Sequence, residues 1–357
     1  MNYTSNATIT FHLGPGLSSG GGDGAHQGGG SGAGGSGGPW VTFLLGATLL
    51  VMCALGVAGN AYTLVVTRSA ALCRRGSMYV YIVNLALADL LYLSTIPFVV
   101  CTYFAHNWVF GEAGCRILLS LDLLTMHTSV FILVAMSMER YRAVAKPFIA
   151  HRSSTRNRRL AAGFIWGLAF ILTLPMMVMI RLKDSKPTVA GLVKRICFPT
   201  WTPEAFKAYI TMLFFTSLLG PGLLIVGLYA GLARHYWAVQ ASSKGSNRSV
   251  RRKGLKQKVL SMILSIVIAY WACFLPFWGW QLAKLFSPDS LKALSPATHK
   301  YVNFFVTCLT YGNSCINPFL YTLLTRNYKD YLAQKSQSAG SSRADLGSVV
   351  STPLQEL

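Results

Sequence analysis

Seven stretches of about 20 apolar residues, joined by short polar connections, leave this chain few folds to choose from. They run over 41–67, 78–104, 115–145, 160–180, 209–232, 259–285 and 301–324. Each is too long for a strand and long enough to cross a bilayer as a helix, where backbone groups must be satisfied within the segment. With 52% hydrophobic and 12% charged residues in 357, the chain also lacks the polar surface of a soluble globule this size. The expected fold class is an all-α membrane protein, a seven-helix bundle at 41–325 followed by a short amphipathic membrane-surface helix at 326–335. Most spans carry one or two polar residues, which lipid cannot partner, so the helices face one another.

A formal charge of +21 raises the question of nucleic acid, and its placement answers it. Of 32 Lys and Arg, 22 fall in the segments that share one side of the membrane if the N-terminus is outside, and none in the first forty residues. The positive-inside bias then puts the N-terminus outside and the C-terminus in the cytoplasm, with no nucleic-acid partner. The basic third inner loop, Arg248 to Lys258, is suited to draw anionic membrane lipids.

Residues 1–40 hold a Gly/Ser-rich tract that cannot bury apolar area against its chain entropy, so disorder is expected there. No cationic start precedes an apolar core, so the first span is expected to act as a signal-anchor. Asn2 and Asn6 begin glycosylation sequons on the outer side. Six of eight cysteines lie in spans or a cytoplasmic loop; Cys115 and Cys197 remain outside, either as free thiols or as a bridge pinning the second outer loop to the third span.

Within the spans, the polar residues form clusters. On the third span, Cys115, Asp122, Ser129 and Arg140 fall close to one face, with Asp122 about 10 Å below the outer surface and Arg140 roughly 27 Å further in. A carboxylate at that depth costs about 2.5 to 3.5 kcal/mol unless it faces a cavity or a cation, and no Lys or Arg of the spans reaches it. Two readings stand: a cationic group of an external ligand, or a hydrated acid bonded to a tyrosine such as Tyr311. Asp89, on the second span, has Asn60, Ser129, Asn313, Ser314 and Asn317 as expected neighbours, an oxygen set suited either to a sodium ion or to trapped water.

Glu139-Arg140-Tyr141 closes the third span and reads either as a local ion pair that releases Arg140 to a partner or as an interfacial anchor. In the sixth span, Phe274, Phe277 and Trp278 surround Pro276, an aromatic cluster that serves as packing or as a pocket floor above a hinge. Asn317-Pro318 and Tyr321 break the seventh span in the same way.

In order and spacing, Gly59-Asn60, Leu85 to Asp89, Trp108 to Gly111, Cys115 with Cys197, Glu139 to Tyr141, Trp166, Pro221 with Tyr229, Pro276 and Asn317 to Tyr321 resemble the rhodopsin-like (class A) G-protein-coupled receptors over 41–332. Finer strings such as Trp271 to Trp278 resemble the peptide receptors near the somatostatin and opioid branch. That resemblance implies a cyclic peptide agonist whose basic side chain pairs with Asp122, inside a pocket of Met126, Phe274, Phe277, Trp278, Gln281, Thr307 and Tyr311. It further implies a switch through Arg140, Pro221, Tyr229, Tyr270 and Pro276, a Gq-type G protein as partner, and a receptor in the plasma membrane with no enzymatic activity. The Ser-rich tail at 336–357 would take a receptor kinase and arrestin. Two departures stand out: Phe274 occupies a position where the family usually has Trp, and Tyr270 one where it usually has Phe.

Rivals are weaker. Retinal needs a lysine deep in the last span, and Lys300 lies only at its mouth. A transporter or channel would carry paired halves, and an intramembrane hydrolase would need two acids at one depth or a zinc helix. An amine ligand would favour hydroxyls where the fifth span has Leu213, Phe214 and Phe215.

Overall fold

The computed structural model describes residues 39–69, 78–105, 107–145, 154–184, 195–242 and 247–319. Asn2, Asn6, Tyr321, the membrane-surface helix expected at 326–335 and the Ser-rich tail lie outside the described residues.

The first span is one helix, Pro39–Ser69, and the third, Gly111–Ala145, is likewise unbroken. The second, expected as one helix, is two: Tyr79–Leu93 and Ile96–Ala105. Pro97 cannot donate to Leu93 and clashes with that turn, while Thr95 Oγ1 donates to the Tyr92 carbonyl at 2.7 Å, so the helix re-forms on a shifted axis. The fourth span is Thr155–Met179, opened by Ser154, whose hydroxyl accepts from Asn157 N at 3.3 Å.

The fifth span begins at Pro203, with Thr202 capping it, and runs to Phe214, through a wide π-turn at Phe215–Leu219, then on as Gly220–Ser242. Pro221 explains the widening: it has no N–H to give the Ser217 carbonyl four residues back, so the ladder slips. Asn247–Phe286 and the helix over 296–319 supply the sixth and seventh spans. Five helices among the described residues are long and apolar enough to cross a membrane by length and composition alone. The seventh falls short because Asn303, Asn313, Ser314 and Asn317 interrupt its apolar run, and those residues are where the polar chemistry sits.

Burial is organised as a bundle in lipid requires. The most apolar stretch of the third span is 72% buried and that of the first only 22%, so the third helix is the central post. Outward faces are apolar, as Phe164 and Ile171 of the fourth span and Leu223 and Val226 of the fifth show by their exposure. Two glycines permit close approach. A Cβ on Gly222 would lie 1.9 Å from the Trp271 indole, and one on Gly59 would lie 3.0 Å from Pro318, so neither position accepts a larger residue without moving its neighbour.

Sequence reading did not anticipate the antiparallel hairpin of β1, Ile180–Asp184, and β2, Arg195–Pro199, which places Leu182 opposite Cys197. The Cys115–Cys197 bridge joins it to the third span with a Cα separation of 5.6 Å. The first outer loop holds it as well: Asn107 Oδ1 accepts from Arg195 N at 2.7 Å, and Trp108 N donates to Arg195 O at 3.2 Å.

Candidate functional site: two buried carboxylates

Asp122 and Met126, one turn apart on the third span, and Phe274 and Phe277 of the sixth line one cavity. Tyr92, Leu123, Thr125, Ser129, Asn313 and Ser314 complete the wall. Asp122 is 7% exposed, and none of the ion pairs among the described residues involves it. The Tyr311 hydroxyl, offered by the sequence as a neutral partner for Asp122, is hydrogen-bonded with Thr95 Oγ1 at 2.9 Å, and its ring stacks on Tyr92 at 4.4 Å. What remains is a carboxylate turned toward an aromatic cavity, the arrangement that accepts a cation from outside.

Four residues expected to share a pocket with Asp122 do not line this cavity. Trp278, Gln281, Thr307 and Tyr311 are buried but stand outside the cavity lining. Trp278 packs edge-on against Phe214 and Phe277, with its Nε1 unpartnered among the described residues. Thr307 Oγ1 donates to the Asn303 carbonyl one turn back. Conversely, Tyr92, Leu123 and Thr125 were not read from sequence; Thr125 lies within one turn of Asp122, a spacing that could have found it.

Asp89 is the opposite case. It is 1% exposed, and both oxygens are engaged: Ser314 Oγ donates to Oδ1 at 2.8 Å and Asn317 Nδ2 to Oδ2 at 2.8 Å. Asn60 reaches the seventh helix by its backbone, donating from Nδ2 to Ser314 O at 3.0 Å rather than to Asp89, and its Oδ1 has no hydrogen-bond partner among the described residues. Ser129 and Asn313 stand at the wall of the Asp122 cavity, as does Ser314, the seventh-span donor to Asp89, so the cavity reaches the edge of the Asp89 cluster. A single carboxylate with hydroxyl and amide oxygens is a donor set for a hard monovalent cation and lacks the several charged ligands a transition metal takes.

Toward the inner side, the local pair expected between Glu139 and Arg140 is replaced by a longer-range one. Glu139 Oε2 lies 3.5 Å from Arg158 Nε of the fourth span, and Arg140 Nε has no hydrogen-bond partner among the described residues. A carboxylate pairs with whichever guanidinium the packing brings to its face, and adjacent residues on a helix diverge by about 100°. Trp166 of the fourth span ties to the second through Nε1 to Asn84 Oδ1 at 3.0 Å. Tyr270 explains its own departure from Phe. Its hydroxyl donates to Ser217 O at 3.0 Å, the very carbonyl that Pro221 leaves without a helix donor, so the fifth and sixth spans share a hydrogen bond that a phenylalanine could not make.

A seven-helix bundle with a disulfide-pinned outer loop, a buried acid at a cavity and a charged inner end defines a class of transmembrane receptor, and comparison agrees. Residues 59–321 match the family of 7 transmembrane receptors (rhodopsin family), to which this chain belongs. Its members are receptors rather than enzymes. Among individual relatives, the urotensin-2 receptor of Macaca mulatta is 51% identical over 84% of this chain and 73% of its own length. That of Homo sapiens is 50% identical over the same shares. The somatostatin receptor type 4 of Rattus norvegicus is 33% identical over 78% of this chain and 69% of its own.

Proposed function

We propose that this receptor is switched by a basic cyclic peptide of the urotensin-2 kind, which enters from outside and sets a cationic side chain on Asp122. The observation that carries the reading is the unpaired Asp122 carboxylate at the aromatic wall of a cavity. The identity of about half to receptors named for urotensin-2 supports that peptide over others. A somatostatin-like peptide is the second reading, favoured by the 33% relative and by the same need for a cation.

Filling the cavity between Asp122, Phe274 and Phe277 favours an arrangement in which the inner half of the sixth span, below Pro276, swings outward. Arg140 and Tyr229 then face a G protein, in this reading of the Gq type, which raises cytoplasmic calcium. Because the two ligands share one bundle, each strengthens binding of the other. The charge bias along the chain supports a plasma-membrane orientation with the N-terminus outside. A sodium ion held by Asp89, Ser129 and Ser314 would stabilise the resting arrangement, and receptor kinase and arrestin would act on the Ser-rich tail.

The test is a calcium assay in transfected cells against urotensin-2, somatostatin and an amine panel. Urotensin-2 should be the most potent, and Asp122→Ala should abolish the response while surface expression stays intact. A full urotensin-2 response in the Asp122→Ala receptor would rule out the salt bridge, and a response to somatostatin or amines alone would replace the ligand.

A further inference from the structure

Outward of Phe277, the sixth span carries a cation with no counter-charge among the described residues. Lys284 lies seven residues beyond Phe277, about 10 Å along the axis, on the same helix face. Its Nζ is 3.4 Å from Asn303 Oδ1 and 5.9 Å from the centre of the Trp280 ring. That oxygen is already committed, since Trp280 Nε1 donates to it at 2.6 Å. None of the ion pairs among the described residues involves Lys284. An ammonium with three donors is thus served by one shared acceptor and a π face. One turn inward, Gln281 is 2% exposed, and its Oε1 has no hydrogen-bond partner among the described residues. A cation and an acceptor therefore stand unspent along one strip that rises from the wall of the Asp122 cavity.

We propose that this strip is a second ligand subsite of opposite charge, in which Lys284, steadied by Asn303 and Trp280, takes a carboxylate of the peptide. Gln281 accepts an N–H from the same peptide's backbone. The inference rests on the peptide reading above and sharpens it: the ligand is dipolar, with its cation inward and its anion about 10 Å further out, a span of roughly three extended residues. The charges of the outer rim fit this division. Lys207 and Lys300 stand there as well, so a uniformly cationic ligand would be repelled, whereas the anion of a dipolar one is held at the rim.

The experiment compares urotensin-2 as the free acid with forms in which each carboxylate is converted in turn to the amide. Each is titrated for calcium response on wild type, Lys284→Gln and Lys284→Arg, with surface expression measured in parallel. One amide should lose about tenfold in potency on wild type, the scale of one partly desolvated charge pair. Lys284→Gln should lose about the same toward the free acid and nothing further toward that amide, and Lys284→Arg should keep the difference between acid and amide. Equal losses toward acid and every amide, or no loss at all, would overturn the subsite. A wild-type receptor silent to urotensin-2 would overturn the peptide reading and the subsite together, whereas a responsive one without acid–amide coupling would overturn the subsite alone.

Discussion

Asp122 and Asp89 are the same residue type, both buried in the same bundle with Ser314 between the cavity of one and the oxygens of the other, yet their surroundings differ in kind. Asp89 is saturated by two donors of the seventh span, and around it Asn60 and Tyr92 also reach that helix, Tyr92 by donating to Thr310 at 2.9 Å. Asp122 faces an aromatic cavity, and no hydrogen bond or ion pair among the described residues engages its carboxylate. The donors at Asp89 hold helices to one another, whereas the Asp122 carboxylate is held in reserve. A buried acid therefore reports function through what its neighbours leave undone, since burial alone is common to both.

The sharpest way to break that contrast is to neutralise each acid separately. Asp122→Asn should lower agonist potency by a hundredfold or more, as expected on losing one partner of a desolvated ion pair at about 3 kcal/mol. Its thermal midpoint in detergent should be unchanged or higher, because no internal bond is lost. Asp89→Ala should do the reverse: about 2 kcal/mol of stability lost, read as a lower melting midpoint, since the Ser314 and Asn317 donors are left unpaired. If Asp122→Asn melts early, the acid is structural after all and the contrast fails. The smallest effect belongs to Tyr270→Phe. Removing its bond to Ser217 O, worth about 1 kcal/mol, should raise ligand-free signalling roughly fivefold if that bond is made only in the resting arrangement. Unaltered basal calcium would mean that it persists when the sixth span moves.

Much of this arrangement was legible in the chain, and the limits have physical causes. The third span's face followed from helical arithmetic, so Asp122 and Ser129 could be set on one wall from the sequence, while Met126 came from the family resemblance. Residues whose place depends on two elements meeting were harder. Trp278 and Tyr311 are aromatic residues at the right depth, but their rings were claimed by Phe214 and Tyr92 across the bundle. Glu139 had a cation next door and paired with one nineteen residues on, in another span. The break before Pro97 and the π-turn before Pro221 were available in principle, because a proline four residues on from a carbonyl leaves it without a donor. What sequence withheld was where the freed carbonyl would turn, and only the packing of the fifth span on Trp271 and Tyr270 decides that.

The strand bearing Cys197 is bonded to the helix that carries Asp122, seven residues above it, so the hairpin cannot lift clear when a ligand arrives or leaves. Any ligand that reaches Asp122 from that side passes a fixed bar on both journeys. Its residence time, more than its rate of capture, is then governed by that bar, and reducing the bridge should hasten departure.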